Sequence, residues 1–109
     1  MDTLTLRDLL AGINAYPIPP LTLIGIGEAR GLDISATATQ ESMKSKAYRL
    51  CRADVLMWLA GAPDISQGGQ SYSFTDEQRN RFRAEAQGIM DELEAEQRTT
   101  IYGYKGSRL

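Results

Sequence analysis

The segment QESMKSKAYRLCRADVLMWLA, residues 40–60, decides how the rest of this chain has to be read. At helical spacing Ala47, Leu50, Cys51, Asp54 and Trp58 fall on one stripe, and Tyr48, Val55 and Leu59 fall on a second beside it. The last turns are therefore apolar nearly all round, a pattern that fits a helix covered by other elements. Thr39 is placed to cap its start, and Gly61 and Pro63 end it. One continuous helix over 40–60 is expected, buried in its C-terminal half.

Working back from it, Leu6, Leu9, Leu10 and Ile13 stand at i, i+3, i+4 and i+7, one face of a short helix over 6–13. Thr5 is its N-cap, and Asp8 three residues later completes a capping box weakened by the short Asp side chain. Tyr16-Pro17-Ile18-Pro19-Pro20 stops it, because proline lacks the backbone donor and pushes its predecessor out of the helical region. Residues 21–30 admit two readings: a helix opened by Pro20 and closed by Gly31, or a strand Leu21-Thr22-Leu23-Ile24 entering a glycine turn. Proline at the start and glycine just past the end favour the helix, with Leu32 placed for a Schellman cap. Gly25 and Gly27 oppose it by up to about 1 kcal/mol each.

Working forward, residues 64–74 carry paired glycines, Gly68 and Gly69, among alternating polar and apolar residues, which suits an extended loop or a small β-hairpin. Thr75 and Gln78 form a capping box, and Asp76 and Glu77 sit where the helix dipole favours anions. Phe82, Ala86, Ile89 and Leu93 then give a narrow apolar seam, with Asp91, Glu92, Glu94 and Glu96 on the solvated side. After Gln97 the chain has three basic residues and no acidic one. The expected architecture is all-α: a small bundle of about four helices in one domain over 1–97, an extended loop or hairpin between the last two, and an extended C-terminal tail over 98–109.

The 109 residues, with Lys+Arg 12 against Asp+Glu 14, leave a net charge of −2 and no global electrostatic signature. A hydrophobic fraction of 42% and a charged fraction of 24% fit one globular domain. The absence of histidine removes the usual general base near neutral pH, the usual zinc ligand and every Ser-His or Cys-His pair. No enzyme, cofactor or metal is expected. The lone Cys51 cannot form an internal disulfide, and nothing resembles a secretory signal, so a reducing, cytosolic setting is expected. No apolar run approaches the ~18 residues of a membrane span.

Gly25-Ile26-Gly27 after an apolar tetrad mimics a phosphate-binding turn, but Arg30 stands where the third glycine belongs and the chain has little room for the remaining βαβ units. Cys51, mid-helix on an apolar stripe, reads as a buried inert thiol. Asp54 and Trp58 read as a buried structural anchor. A carboxylate at Asp54 needs partners, for which Arg30, Arg49 or backbone donors of the Gly68-Gly69 loop are candidates. Lys44, Lys46, Arg49 and Arg52, with Arg79, Arg81 and Arg83, suit either phosphate contacts or, with acids interspersed, salt links to neighbouring helices. Two extended, tyrosine-bearing, glycine-rich segments, 67–74 and 101–109, suit protein interfaces.

The run from Ser45 to Leu59, then Ala62-Pro63-Asp64-Ile65-Ser66-Gln67-Gly68-Gly69-Gln70-Ser71-Tyr72-Ser73-Phe74, then a capped helix, resembles small virion proteins of Bacteroidetes phages and prophages. More loosely it resembles the head-tail connector (adaptor) proteins of tailed phages. The resemblance spans residues 6–93, and Gly-Gly-Gln-Ser-Tyr-Ser-Phe is its most specific part. It implies a virion protein, assembled in the bacterial host cytoplasm, that forms a homo-oligomeric, typically dodecameric, ring between the portal protein and a tail or stopper protein. Such a ring lines the DNA channel, in non-specific proximity to phage DNA, and has no membrane contact. Carried onto this chain, the oligomer or channel loop is Gln67, Gly68, Gly69, Gln70, Ser71, Tyr72, Ser73 and Phe74. The portal-docking tail is Ile101, Tyr102, Tyr104, Lys105, Arg108 and Leu109. The alternative from the residues themselves is a small helical nucleic-acid-binding or regulatory protein using the basic set on 44–52.

Overall fold

The structure, a computed structural model, describes the backbone of residues 3–106 and the side chains of residues 3–96. Five helices occur among the described residues, α1 (Leu6–Ala11), α2 (Pro20–Ala29), α3 (Gln40–Met43), α4 (Lys46–Ala60) and α5 (Asp76–Gly106), with strands β1 (Ile65–Gln67) and β2 (Gln70–Tyr72) between the last two. The chain is thus predominantly helical with one small antiparallel hairpin.

The first helix ends two residues earlier than its apolar spacing suggests, because Gly12 caps it and turns the chain out of the helix. Its capping box is complete despite the short Asp8: Thr5 Oγ1 accepts from the Asp8 N–H at 3.2 Å, and the Thr5 N–H donates to Asp8 Oδ2 at 2.9 Å. Two further first-turn amides, which no helix can satisfy internally, are met by the segment before α3. Leu6 N–H donates to the Ala36 carbonyl at 3.0 Å and Arg7 N–H to that of Ile34 at 2.8 Å.

Residues 21–30 are helical. Gly31 sits at φ +70° just past the end of α2, its N–H bonds the Glu28 carbonyl at 3.1 Å, and the Leu32 N–H bonds that of Gly27 at 2.9 Å. Those two bonds are the Schellman pair anticipated from Gly31 and Leu32.

The helix expected over 40–60 is divided. Ser45 takes an extended backbone and its hydroxyl accepts from the Tyr48 N–H at 3.2 Å, so α4 has its own N-cap and α3 is a separate turn capped by Thr39 and Ser42. The reason is local: Ser45 offers the backbone a cap in competition with continuing the helix, and it also donates to the Ser42 carbonyl at 2.6 Å.

α1, α2 and α5 all pack on α4. Leu6, Leu10, Leu23 and Ile34 close over Tyr48, Cys51, Val55 and Leu59, while Ala53 and Leu56 meet Ala86 with Phe82, Ile89 and Met90 beside it. This explains the nearly all-round apolar end of α4, since different sides of the helix are covered by different neighbours. Asp54 and Trp58 depart from the expected full burial. Both are half-buried, Asp54 paired with Arg30 of α2 and Trp58 packed edge-on against Tyr16.

α4 and α5 run antiparallel, as their cross-pairs show: Arg49 with Glu92 and Glu96, Arg52 with Glu85, and Arg79 with the carbonyls of Ala60 and Ala62. The last turns of α5 pass the level of the α4 N-terminus. The expected extended tail is corrected here, since the backbone stays helical to Gly106. No proline follows Pro63, and a helix already nucleated extends at little cost through residues of middling propensity. No helix among the described residues is long and apolar enough to cross a membrane.

Candidate functional site

The hairpin and its anchor form the most distinctive local structure. β1 and β2 pair antiparallel with Ile65 opposite Tyr72, Ser66 opposite Ser71 and Gln67 opposite Gln70. The two-residue turn between them places Gly68 at φ +61° and Gly69 at φ +79°. Positive φ at both central residues is what a type I′ turn demands, and it matches the twist of the strands it joins. The Gly-Gly pair is therefore explained by the turn, and of the two forms expected for 64–74 the hairpin is the one present.

Ile65 and Tyr72 lie on the hairpin face turned to the core, and Phe74, two residues past the end of β2, packs against it too. Tyr16 is the hub beneath them. Its ring meets Trp58 edge-on at 5.7 Å, Tyr72 edge-on at 6.1 Å and Phe74 in a stack at 5.4 Å, and Phe74 in turn meets Phe82 edge-on at 5.0 Å. The buried Tyr16 hydroxyl donates to the Pro63 carbonyl at 2.6 Å. Arg79 lies over Phe74 at 5.7 Å, donates to the carbonyls of Ala60 and Ala62 at 3.0 and 2.6 Å, and pairs with Asp64 at 3.2 Å. It thus serves orphan carbonyls at the end of α4 while clamping the chain on either side of the hairpin.

Of the eight loop residues singled out from sequence, Tyr72 and Phe74 are consequently turned into their own chain, whereas Gln67, Gly68, Gly69, Gln70, Ser71 and Ser73 are exposed. From 65 to 75 there is no charged residue, in a chain that is 24% charged. Of the tail residues, Ile101, Tyr102, Tyr104 and Lys105 lie on the α5 backbone with side chains outside the described residues. Arg108 and Leu109 lie outside them entirely.

Asp54 finds the first of its candidate partners. Arg30 Nε donates to Oδ2 at 2.7 Å and Nη2 to Oδ1 at 2.9 Å, a two-pronged pair between α2 and α4 that raises the Arg30 pKa further and keeps it charged. Cys51 is fully buried, its thiol directed at the Ile26 carbonyl at 3.7 Å. Burial first, and the Asp54 carboxylate second, push its pKa up to about 11, so it is a protonated packing residue at neutral pH. Gly27 fits a structural reading too. A Cβ there would stand 2.7 Å from Ile34 Cγ2 and 3.0 Å from the Leu32 carbonyl, whereas one at Gly25 would meet nothing within 4 Å. The second glycine of the Gly-Ile-Gly run is thus a close-packing site of a helix, with no phosphate turn around it.

The basic residues of 44–52 divide, Lys44 and Lys46 being exposed. Arg49 bonds Glu92 and Glu96, and Arg52 bonds Glu85 at 3.0 Å, so both face α5 as salt links. Glu92 and Glu96 are drawn into the same contacts, and no three or more ligating side chains converge as a metal site among the described residues. Tyr16 and Arg79 are the functional-site residues that sequence reasoning placed elsewhere. For Arg79 one signal existed: a cation in the first turns of a helix is disfavoured by the dipole, so its position calls for an outside partner. Compared with family models, curated proteins and solved structures, the chain matches none.

Proposed function

We propose that this chain is a non-enzymatic assembly component, a connector of the head-tail adaptor kind, that works as one copy in a homo-oligomeric ring. One observation carries the reading: a rigidly anchored hairpin presents an uncharged, exposed tip and edges, Gln67 to Ser71, that nothing in the chain's own described core requires. Aromatic stacking and Arg79 hold that tip in place, and a surface fixed in advance binds at lower ordering cost than a flexible loop. The far end of α5 adds a helical projection rather than a strand-like tail, so its contact with a portal protein is that of an amphipathic helix laid on a partner. The nucleic-acid reading loses support because Arg49 and Arg52, two of the four residues it uses, are engaged within the chain, which leaves it Lys44 and Lys46.

Mass measurement of the full chain, alone at raised concentration and with a portal protein from the same genome, tests this. A many-subunit species is expected, and removal of residues 98–109 is expected to abolish portal association while leaving the folded monomer intact. A chain that stays monomeric with portal present, and binds duplex DNA with a steep salt dependence, overturns the proposal in favour of the nucleic-acid reading.

A further inference from the structure

The two residues flanking a two-residue hairpin loop exchange both of their backbone bonds, so Gln67 and Gln70 are a hydrogen-bonded pair and Ser66 and Ser71 are the next, non-bonded pair. The Ser66 and Ser71 hydroxyls approach to 3.3 Å, as the closer side-chain spacing of such a pair allows. The N–H and C=O of Ser66 therefore point out from the free edge of β1, and those of Ser71 from the free edge of β2. Both residues are exposed, and neither amide bonds elsewhere among the described residues.

Open edges of this kind are normally blunted by very short strands, lysine, proline or a bulge, because they invite a further strand; of these devices only shortness applies, the three-residue strands leaving one outward N–H and C=O pair on each edge. Here the strands carry only Ile, Ser, Gln and Tyr, the ladder has no bulge, and the nearest charge, Asp64, is already paired with Arg79. Nothing in the strands repels a partner strand, and the hairpin is held rigidly enough to receive one.

We infer that the occupant is a second copy of the same hairpin, with the β2 edge of one subunit pairing antiparallel to the β1 edge of the next. Topology makes this self-consistent. When hairpins of the same orientation stand side by side, β2 of one lies against β1 of its neighbour, and because β1 and β2 run oppositely the new pair is antiparallel without any rearrangement. Ser71 of one copy then exchanges two backbone bonds with Ser66 of the next. Each subunit offers its β2 edge to one neighbour and its β1 edge to the other, a head-to-tail contact that closes into a ring when the rotation between subunits divides the circle and otherwise runs on as an open filament. The result is a continuous belt of hairpins, with the serine hydroxyls on one face and the Tyr72 anchors on the other. This inference rests on the ring reading above and specifies how that ring is sewn together.

Two measurements on the full chain test it. In the assembled wild type, amide hydrogen exchange at Ser66 and Ser71 is expected to slow at least about tenfold relative to the monomer, with little change at Gln67 and Gln70, which are already bonded. Ser71→Pro removes the outward donor and the Ser66–Ser71 hydroxyl contact but no backbone bond of the hairpin itself, and Ser66→Lys with Ser71→Lys adds edge charges at exposed sites. Folded monomers from these variants, under conditions where the wild type forms rings, support the belt. Rings from the lysine variant, or unprotected Ser66 and Ser71 amides in wild-type rings, overturn the belt and leave the ring reading standing. A wild type that never assembles, even with portal protein, overturns both.

Discussion

Two glycines two residues apart in α2 respond oppositely to alanine. At Gly25 an added methyl meets open space on an exposed helical position, so Gly25→Ala gains helix propensity and is expected to stabilise by about 0.5–1 kcal/mol. At Gly27 the same methyl arrives roughly 0.7 Å inside ordinary contact with Ile34 Cγ2, a stiff branch next to the backbone, and presses on the Leu32 carbonyl as well. Leu32 belongs to the Schellman cap, so relief by moving it strains the bond from its N–H to Gly27. Overpacking of this sort costs about 1–3 kcal/mol. With both contacts too short we take the upper end, and after the propensity gain Gly27→Ala should destabilise by about 1–2 kcal/mol. Urea and thermal unfolding of the two variants measure the contrast, with midpoints expected to move in opposite directions and Gly27→Ala falling by roughly 5–10 °C. Adding Ile34→Ala should make the Gly27→Ala change less costly than it is alone, by about 0.5–1 kcal/mol. If Gly27→Ala is as stable as the wild type, the close seating of α2 on residues 32–34 is wrong.

The anchor beneath the hairpin gives a graded set. Tyr16→Phe loses the bond to the Pro63 carbonyl and should cost about 1 kcal/mol, whereas Phe74→Ala, which removes a ring touching Tyr16, Phe82 and Arg79, should cost about 2–3 kcal/mol by chemical denaturation. Arg79→Ala leaves the Ala60 and Ala62 carbonyls without their donor and should cost about 2 kcal/mol; Arg49→Ala breaks pairs to largely exposed glutamates and should cost less than about 1 kcal/mol, so equal losses would refute the distinction. Cys51 makes stability fall at alkaline pH. Above the ordinary thiol pKa of 9.0 the unfolded chain loses a proton that the folded chain holds until about 11, so the folded state binds more protons and weakens as pH rises through that window. Tyr48, raised by burial from its ordinary 10.0, acts in the same direction. Cys51→Ala should flatten part of the decline in unfolding free energy between pH 9 and about 11, and an unchanged slope would show that the thiol is not held protonated.

Much of the local structure was legible because it depends on neighbours in sequence. Thr5 with Asp8, Thr75 with Gln78, and Gly31 with Leu32 each close short hydrogen-bonded rings whose geometry the residue types dictate, and each occurs as expected. The break at Ser45 was equally local but hidden, since a serine inside an apolar helical pattern reads as a tolerated surface residue until its hydroxyl is seen to cap Tyr48. The end of α5 was misread for a different reason: glycine, threonine and tyrosine lower helix propensity without forbidding it, so composition does not fix the boundary. The exposed face of the candidate site was partly legible in the uncharged Gly-Gly segment, while its inward half was not, because Tyr72 and Phe74 are held by Tyr16, far away in the chain.

By itself the sequence determined the helical class, the caps at Thr5, Gly31 and Thr75 and the central role of the helix within 40–60, buried in its C-terminal half, all properties set by short-range sterics and by hydrophobic period. Tertiary structure alone decided which of several cations served which acid, that Arg30 rather than Arg49 holds Asp54, that Arg79 closes the end of α4, and that Gly27 is small because Ile34 lies against it. Those choices join residues as close as Gly27 and Ile34 and as distant as Arg49 and Glu96, 47 positions apart. Side chains of like type compete for them, and only the packed geometry, which rewards one pairing with short bonds and excludes the rest, selects the winner.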